Sequence, residues 1–192
     1  MTFAVVLVAA YLLGSIPTSY IVVFRKTGRD IRTMGTGNPG MMNVLDSIGL
    51  RPAILVGVVD ILKGVAAIGV AYMAGASDMQ AVIAGGVAIM GHDYSVFLRL
   101  NGGNGTATAV GALAALLPVA TFVAFSLSLA ALLVLSSRRM AGMVGMGMVP
   151  VLGYWFGAPD MKVIGSIVLL ALIAVKIFRF EGFTHQKVPY DQ

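Results

Sequence analysis

Long apolar runs separated by short polar segments dominate the chain. The first run is uncharged from Phe3 to Phe24, which is long enough to cross about 30 Å of hydrocarbon as a helix. Further apolar runs cover residues 52–73, 79–98, 140–155 and 161–178. The uncharged stretch 105–135 is broken by Pro118, which predicts two passes. The pattern predicts an all-α integral membrane helix bundle of about seven transmembrane segments, in one domain over residues 1–192.

The distribution of basic residues predicts the orientation. Arginine and lysine favour cytoplasmic loops, and most of them fall on one side if the N-terminus is outside and the C-terminus cytoplasmic. The loop Arg25–Arg51, the Arg99 loop, the Arg138–Arg139 turn and the C-terminal tail are then cytoplasmic. No basic residue precedes the first run, so we interpret it as a retained helix rather than a cleaved signal peptide.

Composition agrees with a membrane protein and excludes several other classes. Hydrophobic residues make up 58% of the chain, charged residues 11%, and the mean hydropathy is +0.93, whereas soluble domains carry about 25% charged residues. Cysteine is absent, which excludes disulfides and thiolate metal sites. The net charge of +5 lies at the ends of the apolar runs and does not indicate nucleic-acid binding. No metal or cofactor motif is recognisable, so we expect neither.

A glycine-rich loop follows the third apolar run. Residues 91–109 read GHDYSVFLRLNGGNGTATA, and the NGGNG segment Asn101–Gly105 leads directly into the next apolar run. A glycine loop that opens a helix can hold an anion with backbone N–H groups and the helix dipole. Irregular backbone at membrane depth is tolerated where it is buried in protein or lines a polar cavity. His92 either acts near a substrate or simply bonds neighbouring backbone.

A second donor-rich loop lies on the same predicted face. Residues 34–43 read MGTGNPGMMN, in which Gly35 and Gly37 allow tight turns, Thr36 offers a hydroxyl, and Asn38 and Asn43 offer amides. The alternative is that these glycines only make turns or allow close helix packing. Because both donor-rich loops fall on one face, we favour a shared binding site.

Two charged residues lie inside the second apolar run. Asp60 and Lys63 are three residues apart and so share one face of a helix. Charges within a membrane span are functional candidates by default, but an internal ion pair that lowers the cost of burial is the favoured interpretation. Arg29 and Arg32 in the first loop can contact lipid phosphates.

Three ordered motifs resemble the bacterial PlsY family, the acyl-phosphate:glycerol-3-phosphate acyltransferases. The segments GTGNPGMMN, VDILKG and GHDYSVFLRLNGGNGTAT are similar in residues and spacing to the family patterns GSGNxGxxN, D-x-x-KG and GHxYPVFxxFKGGKGVAT. The resemblance implies an enzyme of the cell (inner) membrane, with its active site facing the cytoplasm. It would move a fatty acyl group from acyl phosphate to the 1-hydroxyl of glycerol 3-phosphate and give lysophosphatidic acid, with membrane lipid around it and no cofactor.

The same resemblance implies a set of site residues. The catalytic candidates are Thr36, Asn38 and His92. The phosphate-binding candidates are Gly35, Gly37, Asn43, Lys63, Asn101, Gly102, Gly103, Asn104 and Gly105. Both substrates carry phosphate, so donors and cations suit the site. An acyl phosphate is already activated, so positioning and proton handling suffice without an enzyme nucleophile.

Several positions depart from the family pattern. Asn101 and Asn104 replace lysines, Asp46 replaces an arginine, and Ser95 replaces a proline. A serine-bearing element aligns with Ala141 or Gly142, an expected His and Asn align near Phe180 and Phe183, and His185 lies later. Two alternatives therefore stay open: a non-catalytic relative that binds lipid or acyl phosphate, and a small transporter.

Overall fold

Helices joined by short loops form the described part of the protein. The computed structural model describes residues 2–135 and 137–181, and within them it contains helices and loops without strands. The α-helices are α1 Phe3–Ser15, α2 Thr18–Thr27, α3 Met41–Ile48, α4 Leu50–Met73, α5 Asp78–Asp93, α6 Thr106–Leu116, α7 Pro118–Val134, α8 Arg138–Trp155 and α9 Asp160–Glu181. Single 3-10 turns lie at Ile31–Thr33 and Val96–Leu98.

Four helical segments in the described residues are long and apolar enough to cross a membrane. They are Phe3–Thr27, Leu50–Met73, Asp78–Leu98 and Asp160–Phe178. Helices α6, α7 and α8 are apolar but shorter. The predicted break at Pro118 is confirmed, because α6 ends at Leu116 and α7 begins at Pro118, where a missing N–H removes no helical hydrogen bond. The described residues are therefore all helix and loop, with four segments that could cross a membrane by their length and composition.

The first apolar run is broken, although we predicted one uninterrupted span. Helix α1 ends at Ser15 and α2 begins at Thr18. Pro17 causes the break, because proline has no N–H to donate and its ring clashes with the preceding turn. The Ile16 carbonyl accepts instead from the N–H of Thr18 at 3.0 Å. The break places polar backbone in the middle of an apolar segment.

The predicted span 79–98 agrees with the apolar segment Asp78–Leu98, although α5 ends at Asp93 and the last residues form a loop and a 3-10 turn. The loop Arg25–Arg51 contains the amphipathic helix α3, which the sequence analysis missed. Gly40 and Gly49 flank α3, and these two glycines around an apolar segment are the signal that could have located it.

Helices α1 and α5 approach each other through a reciprocal glycine pair. A Cβ on Gly14 would overlap the Ala88 carbonyl of α5, and a Cβ on Gly91 would overlap the Tyr11 carbonyl of α1. Small residues at helix interfaces allow the close approach on which membrane helix packing depends. This contact holds the end of α5, and with it His92, beside the α1–α2 break.

A second reciprocal pair joins α4 and α6. A Cβ on Gly64 would overlap the Thr108 carbonyl, and a Cβ on Gly111 would overlap the Ile61 carbonyl. The same interface fixes α6 relative to α4. The buried apolar residues form a large core around α1, α4, α5, α6 and α9, and a small one under the first loop that consists of Val23, Ile31, Val44, Ala53 and Val56.

Candidate active site

Asn43 organises the first glycine loop. Its Nδ2 donates to the carbonyls of Ile31 at 3.2 Å and Met34 at 2.9 Å, while its Oδ1 accepts from the N–H of Thr36 at 3.1 Å and the hydroxyl of Ser47 at 3.3 Å. The side chain is buried. The amide that we assigned to phosphate binding is thus engaged in holding the loop.

The glycines of this loop are required by its backbone. Gly35 and Gly37 have φ of 52° and 74°, a region that side chains rarely adopt. A Cβ on Gly35 would also overlap Asn43 Oδ1. Thr36 is exposed, and its Oγ1 accepts from the N–H of Asn38 at 3.4 Å. The two glycines therefore shape a turn that presents the Thr36 hydroxyl at the loop surface.

The second glycine loop folds back onto the end of α5. The N–H of Gly102 donates to the Asp93 carbonyl at 3.1 Å, and the N–H of Gly103 donates to the His92 carbonyl at 3.1 Å. These two N–H groups, which we expected to face an anion, are engaged by the fold. Gly105 has φ of 65° and is the N-cap residue of α6. The donors that can still face a ligand are the Asn101 side-chain amide and the N–H groups in the first turn of α6.

The two loops meet beside His92. Gly103 lies against the Nε2 edge of the His92 ring, and a Cβ on Gly103 would be 3.3 Å from the Pro39 carbonyl oxygen. The Ser19 hydroxyl donates to the same Pro39 carbonyl at 2.7 Å. The first loop, the second loop and α2 therefore converge at one end of the helix bundle.

Arg32 joins the two loops from the other side. Its Nη2 lies 2.7 Å from Asp30 Oδ2, and its Nη1 donates to the Leu98 carbonyl at 3.1 Å. Its guanidinium also lies 5.9 Å from the centre of the Tyr20 ring. The hydrogen bond from Arg32 lowers the pKa of Asp30. Arg32, which we had considered for lipid phosphates, serves here as a clamp between the loops.

Asp60 and Lys63 form the predicted ion pair. Lys63 Nζ lies 2.6 Å from Asp60 Oδ1, and both side chains are almost fully buried. The same ammonium donates to the Ile16 carbonyl at 2.5 Å. The expected ion pair is confirmed, and the ammonium that we also assigned to phosphate is engaged by a carboxylate and by the carbonyl at the α1–α2 break.

His92 is buried with its two ring nitrogens in different surroundings. Nδ1 lies 3.4 Å from Thr108 Oγ1 and 3.9 Å from Asp60 Oδ1. Nε2 lies on the side of Gly103. Because Nδ1 faces protein groups, Nε2 is the ring nitrogen available at the meeting point of the loops.

These elements enclose a small cleft. It is lined by Ser15, Ile16, Pro17, Thr18, Ser19, Pro39, Asp60, His92, Ser95, Leu98 and Gly103. His92 and Gly103 are among the predicted site residues, whereas residues 15–19 of the α1–α2 break, which form much of the wall, were not predicted. The signal was present as a proline flanked by hydroxyl residues inside an apolar run. We attributed that run to membrane crossing alone.

The departures from the family pattern have different structural settings. The Ser95 hydroxyl, where the family has proline, donates to the Ser15 carbonyl at 2.5 Å and ties the second loop to α1. Asp46, where the family has arginine, lies 3.5 Å from Arg138 Nη2 on α8. Phe183 and His185 lie outside the described residues.

Comparison with known proteins identifies the family. Residues 4–185 match the family described as glycerol-3-phosphate acyltransferase. The chain is 40% identical over 166 residues to glycerol-3-phosphate acyltransferase 2 of Moorella thermoacetica, covering 86% of this chain and 85% of that protein. It is 41% identical over 177 residues to glycerol-3-phosphate acyltransferase of Thermus thermophilus, covering 90% and 86%.

Solved structures agree with the sequence relatives. The fold is similar to the glycerol 3-phosphate form of PlsY (YgiH), an integral membrane glycerol 3-phosphate acyltransferase, with a TM-score of 0.85 and 28% identity over 95% of this chain and 91% of that one. The lysophosphatidic acid form of PlsY gives a TM-score of 0.81 and 26% identity, covering 96% and 95%. The chain belongs to the glycerol-3-phosphate acyltransferase family.

Proposed function

We propose that this protein transfers a fatty acyl group from an acyl phosphate to the 1-hydroxyl of glycerol 3-phosphate, giving lysophosphatidic acid and inorganic phosphate. The observation that carries the proposal is the convergence of both glycine loops on the Nε2 edge of His92, where Gly103 and the Pro39 carbonyl meet. The forms in which PlsY was solved, with glycerol 3-phosphate and with lysophosphatidic acid, support the acceptor and the product.

His92 handles the proton in this proposal. The 1-hydroxyl oxygen attacks the acyl carbonyl carbon, the new ester C–O bond forms, and the C–O bond to the phosphate breaks. The hydroxyl proton passes to His92 Nε2 and from there to the departing phosphate. The position of Nδ1 near Thr108 and Asp60 supports this role, since a fixed ring keeps Nε2 directed at the substrate.

The glycine loops bind and orient the two phosphorylated substrates. Thr36 and Asn38 lie on the turn of the first loop. We assign them a catalytic role, in which their side chains contact the reacting groups of the substrates. We place phosphate binding at Gly35, Asn101, Asn104 and Gly105. The N–H groups of Gly37, Gly102 and Gly103 donate to carbonyls within the protein, so these three glycines shape the loops around the phosphate. Because the donors of Asn43 and Lys63 are engaged within the protein, these two residues support the site by holding its walls in place. Alignment of two bound reactants supplies much of the rate.

The membrane arrangement completes the proposal. Seven helical segments cross the cell (inner) membrane, with the N-terminus outside, the C-terminus inside and the active site at the cytoplasmic end. The support is the position of Arg25, Lys26, Arg32 and Arg99 around the same end as the two glycine loops, since basic residues favour the cytoplasmic side. The acyl chain then enters from the bilayer while glycerol 3-phosphate arrives from the cytoplasm.

The decisive experiment is a turnover assay on the purified protein in detergent. Acyl phosphate and glycerol 3-phosphate are supplied together, and lysophosphatidic acid and released phosphate are measured by mass spectrometry and colorimetry. We expect the two products in equal amounts. A simple alkyl thioester of the same fatty acid serves as the control and should give no product, because its leaving group is a thiolate and not the phosphate that the site binds. Retained acyl-phosphate binding without product would instead identify a non-catalytic relative.

A second measurement tests the role of His92. His92→Asn keeps a polar side chain but removes the base, and we expect kcat to fall about a hundredfold, in the range usual for a general base. The pH dependence of the remaining activity should flatten on the acid side. Unchanged kcat in this variant would remove His92 from the chemistry.

A further inference from the structure

We propose that Thr18 and the N-terminus of α2 bind a phosphate oxygen of the substrate, as a third anion-contacting element beside the two glycine loops. The inference rests on the proposed function, because it concerns the same cleft. It arises from the α1–α2 break, which the motifs do not include. Thr18 stands out there by its burial and by its unused hydroxyl.

The Thr18 side chain is buried but unsatisfied. Thr18 is 8% exposed, it lines the cleft together with His92 and Gly103, and its Oγ1 has no hydrogen-bond partner within the described residues. Buried polar groups in native proteins are nearly always paired. An unpaired hydroxyl on the wall of a cleft is therefore a position where a ligand atom can supply the missing partner.

Neighbouring hydroxyls in the same wall are all engaged. Ser15 donates to the Gly91 carbonyl at 3.2 Å, whereas Ser19 and Ser95 donate to the carbonyls of Pro39 and Ser15. These three serines hold the break against α5 and the first loop. Thr18 takes no part in that scaffold, so its hydroxyl is available within a wall that is otherwise fixed.

The backbone at this position adds further donors. Helix α2 is ten residues long and begins at Thr18, and the first N–H groups of a helix lack partners inside it. The N–H of Thr18 donates to the Ile16 carbonyl, which leaves those of Ser19 and Tyr20 as candidates. The helix dipole places partial positive charge at the same point. Hydroxyl and helix N-terminus together favour a negatively charged oxygen.

The charges in the cleft are compatible with an anion. Asp60 also lines it, but its carboxylate is paired with the Lys63 ammonium at 2.6 Å. The neutral pair leaves the Thr18 hydroxyl and the α2 N-terminus as the groups that select the ligand. The bound oxygen belongs to the phosphate of either acyl phosphate or glycerol 3-phosphate. Measuring the KM of each substrate separately distinguishes the two.

The test replaces the hydroxyl at constant shape. Thr18→Val removes the donor, Thr18→Ser keeps it, and Thr121→Val is the matched control. Thr121 on α7 is equally buried, at 8%, and its Oγ1 is also unpaired in the described residues, but it does not line the cleft. KM is measured for each substrate separately, and the melting temperature of each variant confirms folding.

We expect Thr18→Val to raise the KM of one substrate about tenfold or more, as loss of a hydrogen bond to a charged group does. The substrate affected identifies the source of the phosphate. Thr18→Ser should stay within about threefold of the wild type, and Thr121→Val should leave both KM values unchanged. Both KM values unchanged in Thr18→Val would overturn the proposal. Equal effects of Val and Ser would also overturn it, because Ser keeps the hydroxyl and the effect would then come from disturbed packing at this position.

A binding measurement separates this inference from the catalytic proposal. Glycerol 3-phosphate and inorganic phosphate are titrated into wild-type and Thr18→Val protein by calorimetry, without turnover. Weaker binding by the variant supports the Thr18 contact even if the wild type forms no product. Equal affinity of the wild type and Thr18→Val for both ligands contradicts it. The partner of Thr18 would then be a buried water and not the phosphate. If Thr18→Val does not fold, Thr18→Ala is measured in the same way.

Discussion

The ammonium of Lys63 donates to the Ile16 carbonyl at 2.5 Å. This contact joins α4 to the break between α1 and α2, where the missing Pro17 N–H leaves the backbone outside helical hydrogen bonding. The same ammonium is paired with Asp60 on the wall of the cleft. One buried lysine thus satisfies a polar backbone group, neutralises a carboxylate and sets the distance between two walls of the site.

The buried pair predicts a strong and non-additive effect on stability. Lys63→Met leaves the Asp60 carboxylate buried without its partner, and breaking a buried pair in this way costs about 3–5 kcal/mol. The double variant Asp60→Asn/Lys63→Met removes both charges and should recover much of the loss. Thermal unfolding of the detergent-purified proteins measures this. A double variant no more stable than Lys63→Met would contradict the assignment.

An exposed pair provides the comparison for that experiment. Asp46 and Arg138 lie 3.5 Å apart, with side chains 49% and 61% exposed. Surface pairs contribute about 0–1 kcal/mol, so Arg138→Met should barely change the melting temperature.

The reciprocal glycines predict a position-specific effect of a single methyl group. Gly64→Ala and Gly111→Ala place a Cβ against backbone carbonyls of the facing helix, which no side-chain rotation relieves. Overpacking of this kind costs about 1–3 kcal/mol. Gly69→Ala on the same α4 is the control, because its Cβ would meet no atom within 4 Å. We expect lower melting temperatures for the first two variants and no loss for the third. Equal melting temperatures in all three would contradict the packing.

Gly103 predicts an effect on catalysis rather than on folding. Gly103→Ala would press a methyl group against the Nε2 edge of His92 and toward the Pro39 carbonyl. Displacement of a catalytic group by about 1 Å can cost about a hundredfold in rate, and we expect kcat to fall by that order. The assay is formation of lysophosphatidic acid. Gly147→Ala, which meets no atom within 4 Å, should retain activity, and an active Gly103→Ala would place the reacting atoms elsewhere.

The clamp between the loops predicts a pH dependence of stability. Hydrogen bonding to Arg32 lowers the pKa of Asp30 below the unfolded value of about 3.9. A lowered carboxyl pKa stabilises the fold above the unfolded pKa, and this contribution is lost as pH falls through the folded pKa. Wild type should therefore unfold at higher temperature than Asp30→Asn near pH 7. The difference should shrink below about pH 4. A difference independent of pH would exclude the charged pair as its cause.

Much of the architecture was predictable because lipid imposes simple rules on sequence. Apolar runs, the break at Pro118 and the Asp60–Lys63 pair all follow from local properties: run length, a missing N–H and residues three apart on one helix. The convergence of the glycine loops also followed, since both lie on the same predicted face. Helix α3 was missed because it is short and lies within a segment interpreted as a loop. The α1–α2 break was missed because its proline and hydroxyl residues lie within a long apolar run.

Sequence by itself determined the membrane class, the apolar runs and the two donor-rich loops, since each depends on neighbours along the chain. Only the tertiary structure decided which donors are engaged. The amide of Asn43, the N–H groups of Gly102 and Gly103, and the Lys63 ammonium all bond to partners within the protein. Those partners are set by how backbone folds and helices pack. The same packing left the Thr18 hydroxyl unpaired on the wall of the cleft.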